Sequence, residues 1–305
     1  MNRYQFRAMV LDLKDNPKNL PKYREQFKNV YPFSDGIFKL LMANEAKPER
    51  TIKFLNAMLG LSDKNAIKSF TLGVQEQPGI LDRKTSIFDI YGITEGKDPI
   101  LIEVQQNANK LYVDRLTYYT SRVVCNQVKK SKDYDLPRIY VLSLLCEDQF
   151  PDEIDTYFHH CQIMRNRKFS FDKVNVFLVE MEKFFKIDDR TAPARREKSN
   201  RAEMLRLFRD VLEEKSVDEE KASKLLDSDF AKDVSFMGYT DELLLLEVDN
   251  MTDMLYEKQG SYLQGKADGE LSAKQKMAKS LKENGVAIST ISKSSGLTEE
   301  QINAL

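Results

Sequence analysis

The sequence contains few of the residues that build redox centres, zinc sites and nucleophilic triads. Its three cysteines, Cys125, Cys146 and Cys161, are odd in number and have no CxxC spacing, which predicts reduced thiols and no zinc site. The only two histidines, His159 and His160, are adjacent, so their side chains point in different directions on a helix or a strand. A Ser-His-Asp or Cys-His mechanism therefore has little support.

Long apolar runs are also lacking. The longest, Ile139–Cys146, is far too short to span a bilayer, and the first residues, MNRYQFRAMVLDLKDNP, lack the apolar core of a signal peptide. With the reduced thiols, this predicts a cytoplasmic protein that makes no membrane contact. The formal net charge is −1, from 47 basic and 48 acidic residues, so binding to nucleic acid would depend on local basic patches.

The most informative stretch is Lys84–Gln106, whose pattern is typical of a β-hairpin. Two runs rich in apolar and β-branched residues, Thr85–Thr94 and Ile100–Gln105, flank the segment Glu95–Pro99. In this segment glycine supplies a turn and proline starts the next strand. We therefore predict two antiparallel strands joined by a five-residue loop.

Three polar side chains lie within this otherwise apolar hairpin. If Thr94 lies opposite Ile100, then Asp89 lies opposite Gln105, and Glu103 is the diagonal neighbour of Asp89. Neighbours of that kind are close enough for two carboxylates to hold one divalent cation. The alternative is that the polar residues mark only the solvent face of the sheet. A carboxylate among apolar residues needs a partner or a metal, which favours the metal site.

The remaining pattern up to residue 187 predicts helices and strands in the order α, α, β, β-hairpin, α, β, β. One predicted helix begins at Ser34, and two others cover Pro48–Leu59 and Lys110–Lys130. The predicted strands outside the hairpin are Ile67–Val74, Arg138–Cys146 and Lys173–Met181. The last strand is placed at the margin of the sheet. This order predicts the α/β class, with a mixed sheet flanked by helices.

The helix predicted over Lys110–Lys130 has two stripes. The apolar stripe should face the core and contains Tyr112, Leu116, Tyr119 and Val123. The other stripe is basic with one aromatic ring and contains Arg115, Tyr118, Arg122 and Lys129. Such a stripe can lie along a phosphate backbone, or it can be a solvated helix face.

Composition divides the chain into four parts: an N-terminal lead-in over residues 1–30, a core over 31–187, a linker and helical region over 188–270, and a small helical tail over 271–305. In the tail, Gly285 and Gly296 separate three short helices, and Thr298–Gln301 is a helix start signal. This layout is typical of a helix-turn-helix-like unit that contacts DNA. Packing or oligomerisation modules share it.

Four segments match the pattern of one known family: Phe33–Lys39, Phe88–Ile90, Ile102–Gln105 and Arg115–Tyr119, with Gln127 and Lys132–Tyr134 as further similarities. Together they resemble the PD-(D/E)XK nuclease family of transposases, which includes the Rpn-type recombination-promoting nucleases. The resemblance covers roughly residues 31–185 and, more loosely, the tail. It implies a restriction-endonuclease-like core with a helical C-terminal extension, and metal-dependent endonuclease activity on DNA.

The resemblance also implies roles for individual residues. Asp89 corresponds to the metal-binding aspartate, Glu103 to the acidic residue of the third motif, and Asp35 to the acidic residue of the first helix. From the sequence pattern alone, Asp35 is either a helix cap or an extra metal carboxylate. Gln105 stands where the wider superfamily has lysine. A glutamine can hydrogen-bond the attacking water but brings no charge, so the metal must lower the pKa of that water.

The resulting hypothesis is a nuclease whose partner is DNA. Asp89 and Glu103, with the Val104 carbonyl, hold Mg²⁺, for which Mn²⁺ can substitute, and the DNA backbone is contacted by Lys39, Arg115, Tyr118 and Arg122. A homodimer is one expected assembly, since nucleases that cut both strands are often dimers. The alternatives are a catalytically weakened nuclease fold that acts as a DNA-binding or protein-interaction module, and a scaffold.

Overall fold

The computed structural model describes residues 1–74, 76–77, 86–127 and 135–304, and side chains are described except at 76–77, 86–87, 169–170 and 253–273. The predicted contributions of Thr85, Lys129 and Lys132–Tyr134 lie outside the described residues. Within the described part of the chain, no helix is long and apolar enough to cross a membrane. The chain has two compact units, Met1–Glu247 and Val248–Leu305. The four-part division drawn from composition stays a prediction.

Helices make up most of the described chain. Their bounds are α1 (Arg3–Asp15), α2 (Leu20–Gln26), α3 (Asp35–Met42), α4 (Pro48–Leu59), α5 (Tyr112–Gln127), α6 (Met181–Arg190), α7 (Asn200–Leu212), α8 (Glu219–Leu225), α9 (Phe230–Asp233), α10 (Asp241–Glu283), α11 (Ile288–Ser295) and α12 (Glu299–Asn303). The helix predicted over Pro48–Leu59 is confirmed at both ends, because Pro48 begins it and Gly60, at φ 69°, ends it in the left-handed conformation.

The strands form one six-stranded mixed sheet and one two-stranded pair. Their bounds are β1 (Phe70–Leu72), β2 (Glu76–Gln77), β3 (Ser86–Ile87), β4 (Ile90–Thr94), β5 (Pro99–Gln105), β6 (Ile139–Leu145), β7 (Phe158–Arg165) and β8 (Phe169–Glu180). The large sheet has the order β1-β4-β5-β6-β8-β7, and β2 pairs with β3. The predicted α/β class, a mixed sheet flanked by helices with a helical C-terminal part, is confirmed.

The centre of the large sheet is parallel and its margins are antiparallel. Strand β6 pairs in parallel with both β5 and β8, and all of its residues except Tyr140 are buried, as expected of a strand covered on both faces. The prediction that the Lys173–Met181 strand lies at the margin is wrong, because β7 pairs with β8 on its outer side. Strand β7 was missed because its residues are mostly exposed and two are histidines, so it lacks the apolar pattern of a strand.

Helix α5 covers one face of the sheet. The predicted core stripe is confirmed: Tyr112, Leu116 and Val123 are buried with Leu101 of β5 and Val141 of β6, and Tyr119 packs against the same cluster. Burial of each large apolar side chain contributes roughly 1.5–3 kcal/mol. This packing fixes the rotation of α5 about its axis, and therefore decides which of its residues reach the end of β5.

A second cluster of aromatic rings holds α3 in place. The ring centroids of Phe33 and Phe208 lie 5.0 Å apart, those of Phe33 and Phe38 lie 6.3 Å apart, and Phe54 contacts both Phe38 and Phe208. All four side chains are almost fully buried. The cluster joins α3, α4 and α7, so the segment that carries Asp35 is packed from both sides of that residue.

Beyond residue 187 the elements differ in part from the prediction. Asp188–Arg190, assigned to a linker for their polarity, form the last turn of α6, where Asp188 is buried and bonded to Arg206 and Arg209. In the C-terminal unit, Gly285 and Gly296 separate helices, as predicted, and both adopt the left-handed conformation. Thr298 forms the predicted capping box with Gln301. The first of the three predicted tail helices is the end of the long helix α10.

Candidate metal-binding and nuclease site

The hairpin of β4 and β5 is confirmed, but its predicted register is wrong by two residues. Ile90 pairs with Ile102 and Ile93 with Pro99, so Asp89 is level with Glu103 and not with Gln105. The loop is shorter than the predicted five residues because Thr94 N–H donates to the Asp98 carbonyl at 3.0 Å. Lys97 adopts a left-handed φ of 64° and closes this tight turn. The observed register brings the two acids closer together than predicted.

Asp89 lies in a bend just before β4, and not within the predicted continuous strand. The bend separates the short strand β3 from β4, and it allows both Phe88 and Tyr91 to pack against α5, which strict alternation would forbid. The Asp89 Oδ2 accepts a hydrogen bond of 2.6 Å from Val104 N–H. Because the N–H and C=O of one strand residue point to the same side, the Val104 carbonyl also faces Asp89.

Glu103 is a nearly buried acid, 5% exposed, on the face of β5 that α5 covers. Its Oε1 is buried and has no hydrogen-bond partner among the described residues. Burial raises the pKa of Glu103 well above its usual range, and the charge of Asp89 raises this pKa further. The charge of Arg115 and the backbone amide of Asp89 act against that shift. A buried oxygen without a partner is costly and normally marks an unfilled interaction.

Helix α3 brings Asp35 to Asp89. Gln106, just after β5, donates from Nε2 to the Phe33 carbonyl and accepts a 2.8 Å hydrogen bond from the Tyr31 hydroxyl, which ties the segment before α3 to the end of β5. Burial is the main cause that raises the pKa of Asp89 to about 7, and the charge and hydrogen bond of the Asp35 carboxyl add to it. Asp35 is the first residue of α3, and Ser34 holds the N-cap position.

Two cationic side chains lie beside the acids. Lys39, one helical turn after Asp35, forms an ion pair of 2.9 Å with it, and its charge lowers the pKa of both Asp89 and Glu103. Arg115 Nη2 donates a 2.5 Å hydrogen bond to Gln105 Oε1. The three carboxyl groups are therefore flanked by one amino group and one guanidinium.

Arg115 is directed towards the site and is only partly exposed. Its guanidinium carbon lies 5.1 Å from the ring centroid of Tyr112 and 5.9 Å from that of Tyr119, and the Tyr112 hydroxyl hydrogen-bonds Ser143 on β6. The stripe that the sequence placed on one helix face is not uniformly solvated, since Arg122 is 9% exposed and Tyr118 partly exposed. The roles of Tyr118 and Arg122 in DNA contact stay predictions.

Gln105 is 8% exposed and both ends of its amide are engaged. Its Oε1 accepts from Arg115 and its Nε2 donates to the Asn107 carbonyl. Since a primary amide has two N–H groups and two acceptor lone pairs, these contacts leave one of each for a water molecule. The resemblance implied that position 105 lacks the positive charge of the superfamily lysine. The contact with Arg115 places a positive charge beside Gln105.

One acid near this site was missed by the sequence reasoning. Glu247 of α10 is 6% exposed, and its Oε1 accepts a 3.3 Å hydrogen bond from Gly36 N–H at the start of α3. No spacing signal connects residue 247 with residue 36, because the two are more than two hundred residues apart. Glu247 is identified only by its contact with the start of α3, where the local sequence provides no side-chain cap. That contact is seen only in the folded structure.

The donor set fits a hard divalent cation. Asp89, Glu103 and the Val104 carbonyl supply oxygen atoms only, and the unpartnered Glu103 Oε1 is available as a ligand. Among the described side chains, no cluster of three or more His, Cys, Asp or Glu residues is arranged to hold a metal. The candidate donor set itself contains two carboxylates and one backbone carbonyl, and Mg²⁺ sites with few protein carboxylates are completed by water and substrate phosphate.

The raised pKa values predict that neutralising Asp89 stabilises the metal-free protein. A carboxyl whose pKa is higher in the folded than in the unfolded state favours folding at low pH, and this advantage is lost as pH rises through about 7. We expect Asp89→Asn, which keeps an acceptor for Val104 N–H, to raise the thermal midpoint in EDTA at pH 8 by about 2–8 °C. At pH 5 the expected difference is much smaller. Equal differences at pH 5 and pH 8 by calorimetry would contradict the assignment.

Comparison with known proteins gives one result. The family model described as PD-(D/E)XK nuclease family transposase matches residues 32–255 of the chain. The matched range contains every candidate site residue from Asp35 to Glu247. Comparison with curated proteins and with solved structures finds no match.

Proposed function

The chain belongs to the family of PD-(D/E)XK nuclease family transposases. On this basis we propose that it is a Mg²⁺-dependent endonuclease that hydrolyses phosphodiester bonds in DNA. The observation that carries the proposal is the pairing of Asp89 with Glu103. Two acids are level across one hairpin, one of them with a buried oxygen that lacks a partner in the described residues. Such an arrangement is unfavourable for stability alone, and a bound cation offsets its cost.

Asp89, Glu103 and the Val104 carbonyl are the proposed metal ligands. The ion, Mg²⁺ or Mn²⁺ in its place, supplies Lewis acidity, polarising a phosphoryl oxygen and making a water molecule a stronger acid. Asp35 lies against Asp89, and its carboxyl hydrogen-bonds the Asp89 carboxyl. These acids therefore set the negative charge of the site and its affinity for a cation.

Arg115 and Lys39 are the proposed contacts to the scissile phosphate. Both are within the electrostatic range of Glu103, since each lowers the pKa of that carboxyl. A guanidinium matches two phosphate oxygens with parallel N–H groups, whereas an ammonium acts as a point charge. Gln105, with one N–H and one lone pair remaining, is suited to orient the attacking water. Tyr118 and Arg122 are proposed as further contacts to the DNA backbone.

The test is incubation of supercoiled plasmid DNA with the purified full-length protein in Mg²⁺, Mn²⁺, Ca²⁺ or EDTA. We expect nicked and linear products with Mg²⁺ and Mn²⁺, and intact plasmid with EDTA. Binding of a labelled DNA duplex is measured in parallel by fluorescence anisotropy at several salt concentrations. Cleavage that persists unchanged in EDTA would contradict metal dependence.

The other function classes are distinct outcomes of the same test. Salt-dependent DNA binding without cleavage in any metal would identify a catalytically weakened DNA-binding module. The absence of both DNA binding and Mn²⁺ binding by calorimetry would leave a scaffold. A homodimer and DNA contact by the helices of residues 271–305 are further parts of the proposal, tested by light scattering and by binding of the full chain with substitutions in α11.

A further inference from the structure

The start of α3 is completed by a side chain from a distant part of the chain. Ser34 holds the N-cap position but makes no side-chain capping bond to α3. Instead, Glu247 Oε1 accepts from Gly36 N–H at 3.3 Å, and the Ser34 hydroxyl also hydrogen-bonds this carboxyl. A carboxylate at a helix N-terminus is favoured by the partial positive charge there. Glu247 therefore performs the capping function that the local sequence leaves open.

Gly36 provides a second, independent sign of this contact. A β-carbon at position 36 would overlap with Glu247 Oε2 and lie 3.0 Å from Glu247 Cδ. Gly36 is inside α3 and does not have a positive φ, so its conformation does not require glycine. Alanine forms helices more readily than glycine. Glycine at position 36 is therefore explained by the close approach of the Glu247 carboxyl, for which a β-carbon would leave no room.

Glu247 is buried, and its surroundings contain both signs of charge. Burial raises the pKa of Glu247, and the charge of Asp35 raises it further. The hydrogen bonds from Ser34 and Gly36 and the charge of Lys39 act in the opposite direction. The same two side chains, Asp35 and Lys39, act on Asp89. Glu247 is thus within electrostatic range of the same two side chains, Asp35 and Lys39, that act on Asp89.

We propose that Glu247 is a positioning residue, which fixes the first turn of α3 so that Asp35 is held against Asp89. The inference rests on the proposed nuclease function. Glu247 does not itself contact the metal or DNA in this proposal. It acts through the helix start, because the two hydrogen-bond partners of Glu247 are Ser34 and Gly36, the residues on either side of Asp35 in the chain.

The experiment compares four variants of the full chain: Glu247→Ala, Glu247→Gln, Gly36→Ala and the double variant Gly36→Ala/Glu247→Ala. The matched control is Glu242→Ala, since Glu242 is an exposed acid on the same helix. Mn²⁺ affinity is measured by calorimetry, and the rate of DNA cleavage in a single turnover at saturating DNA. Thermal unfolding shows that each variant is folded.

We expect Glu247→Ala to weaken Mn²⁺ binding by about tenfold, as removal of a supporting contact to a metal site does. The single-turnover rate should fall by about 10–100-fold, because small displacements of a reacting group are costly. DNA affinity should change less than about twofold, since the substitution removes no group that binds phosphate. Glu247→Gln keeps an acceptor for Gly36 N–H and should restore most of the Mn²⁺ affinity and of the rate.

The glycine variants separate positioning from a general loss of stability. Gly36→Ala should be as impaired as Glu247→Ala, although alanine favours helix formation. The double variant should be no worse than Glu247→Ala, because the overlap is gone. A folded Glu247→Ala or Gly36→Ala protein with wild-type Mn²⁺ affinity and cleavage rate would overturn the inference and leave the proposed function intact. Wild-type protein that neither binds Mn²⁺ nor cuts DNA would overturn both.

Discussion

Asp89→Asn and Glu103→Gln are each expected to lower the Mg²⁺-dependent rate of DNA cleavage by about 10³-fold or more, which corresponds to roughly 4 kcal/mol of transition-state stabilisation. Both substitutions keep the shape of the side chain and remove its charge. Asp89 lies level with Glu103 and accepts a hydrogen bond from Val104 N–H. Each carboxylate therefore occupies its own position in the proposed site, and we expect that one acid does not compensate for loss of the other. Rates are measured in a single turnover with excess protein.

The control for these two variants is Asp15→Asn, which removes an exposed acid at the end of α1. It should leave cleavage unchanged. The binding of DNA in EDTA should be kept or strengthened in the Asp89 and Glu103 variants, because each removes a negative charge near the phosphate backbone. Cleavage at more than about a tenth of the wild-type rate by either variant, with the same metal dependence, would contradict its role as a metal ligand.

The local part of the site was predictable from the sequence. The alternation of apolar residues and the Glu95–Pro99 segment identified the hairpin, which is confirmed, and with it the two acids. The register was not predictable, because it depends on a turn in which Lys97 adopts a left-handed conformation. A left-handed φ is uncommon for lysine, so the identity of residue 97 does not predict the tight turn. The error of two residues kept the side chains within β4 and β5 on their predicted faces, since the period of a strand is two. The bend at Asp89 is a separate difference, because it places Phe88 on the same side as Tyr91.

The long-range part of the site was not predictable by the same reasoning. Glu247 reaches Gly36, and Arg115 reaches Gln105, only because α10 and α5 pack where they do. Periodicity shows which stripe of α5 is apolar, and this was confirmed. Periodicity does not show where the charged group of a basic residue beside that stripe lies. A long side chain at the border of the stripe can extend along the core or out into solvent. A single sequence contains no information on these pairings.

The identity of residue 105 shows how the two kinds of information combine. The sequence indicates a neutral glutamine in the hairpin, where the resemblance implied a lysine in the wider superfamily. The fold supplies the missing charge from another element, because Arg115 bonds to Gln105 and acts on the pKa of Glu103. Loss of charge at one position is therefore not loss of charge at the site. This argues for the enzyme rather than for the weakened module.

Arg115→Ala is accordingly expected to lower the single-turnover rate of DNA cleavage by about 10²-fold, the usual effect of removing one donor that stabilises developing charge. DNA affinity at low salt should fall much less, and the slope of log affinity against log salt should change by about one unit, because one cation that neutralises a phosphate is removed. Arg115→Lys should recover only part of the rate. An ammonium keeps the charge but cannot bond to Gln105 and a phosphate in one plane.

The control for Arg115 is Arg7→Ala, which removes an exposed arginine of α1 and should change neither rate nor affinity. The comparison that decides is between rate and affinity in one protein. If Arg115→Ala loses DNA affinity and rate in equal proportion, and saturating DNA restores the wild-type rate, then Arg115 only binds the backbone. If the rate stays low at saturating DNA, the guanidinium acts in the transition state, and the site combines a neutral Gln105 with a cation held by Tyr112 and Tyr119 of the same helix.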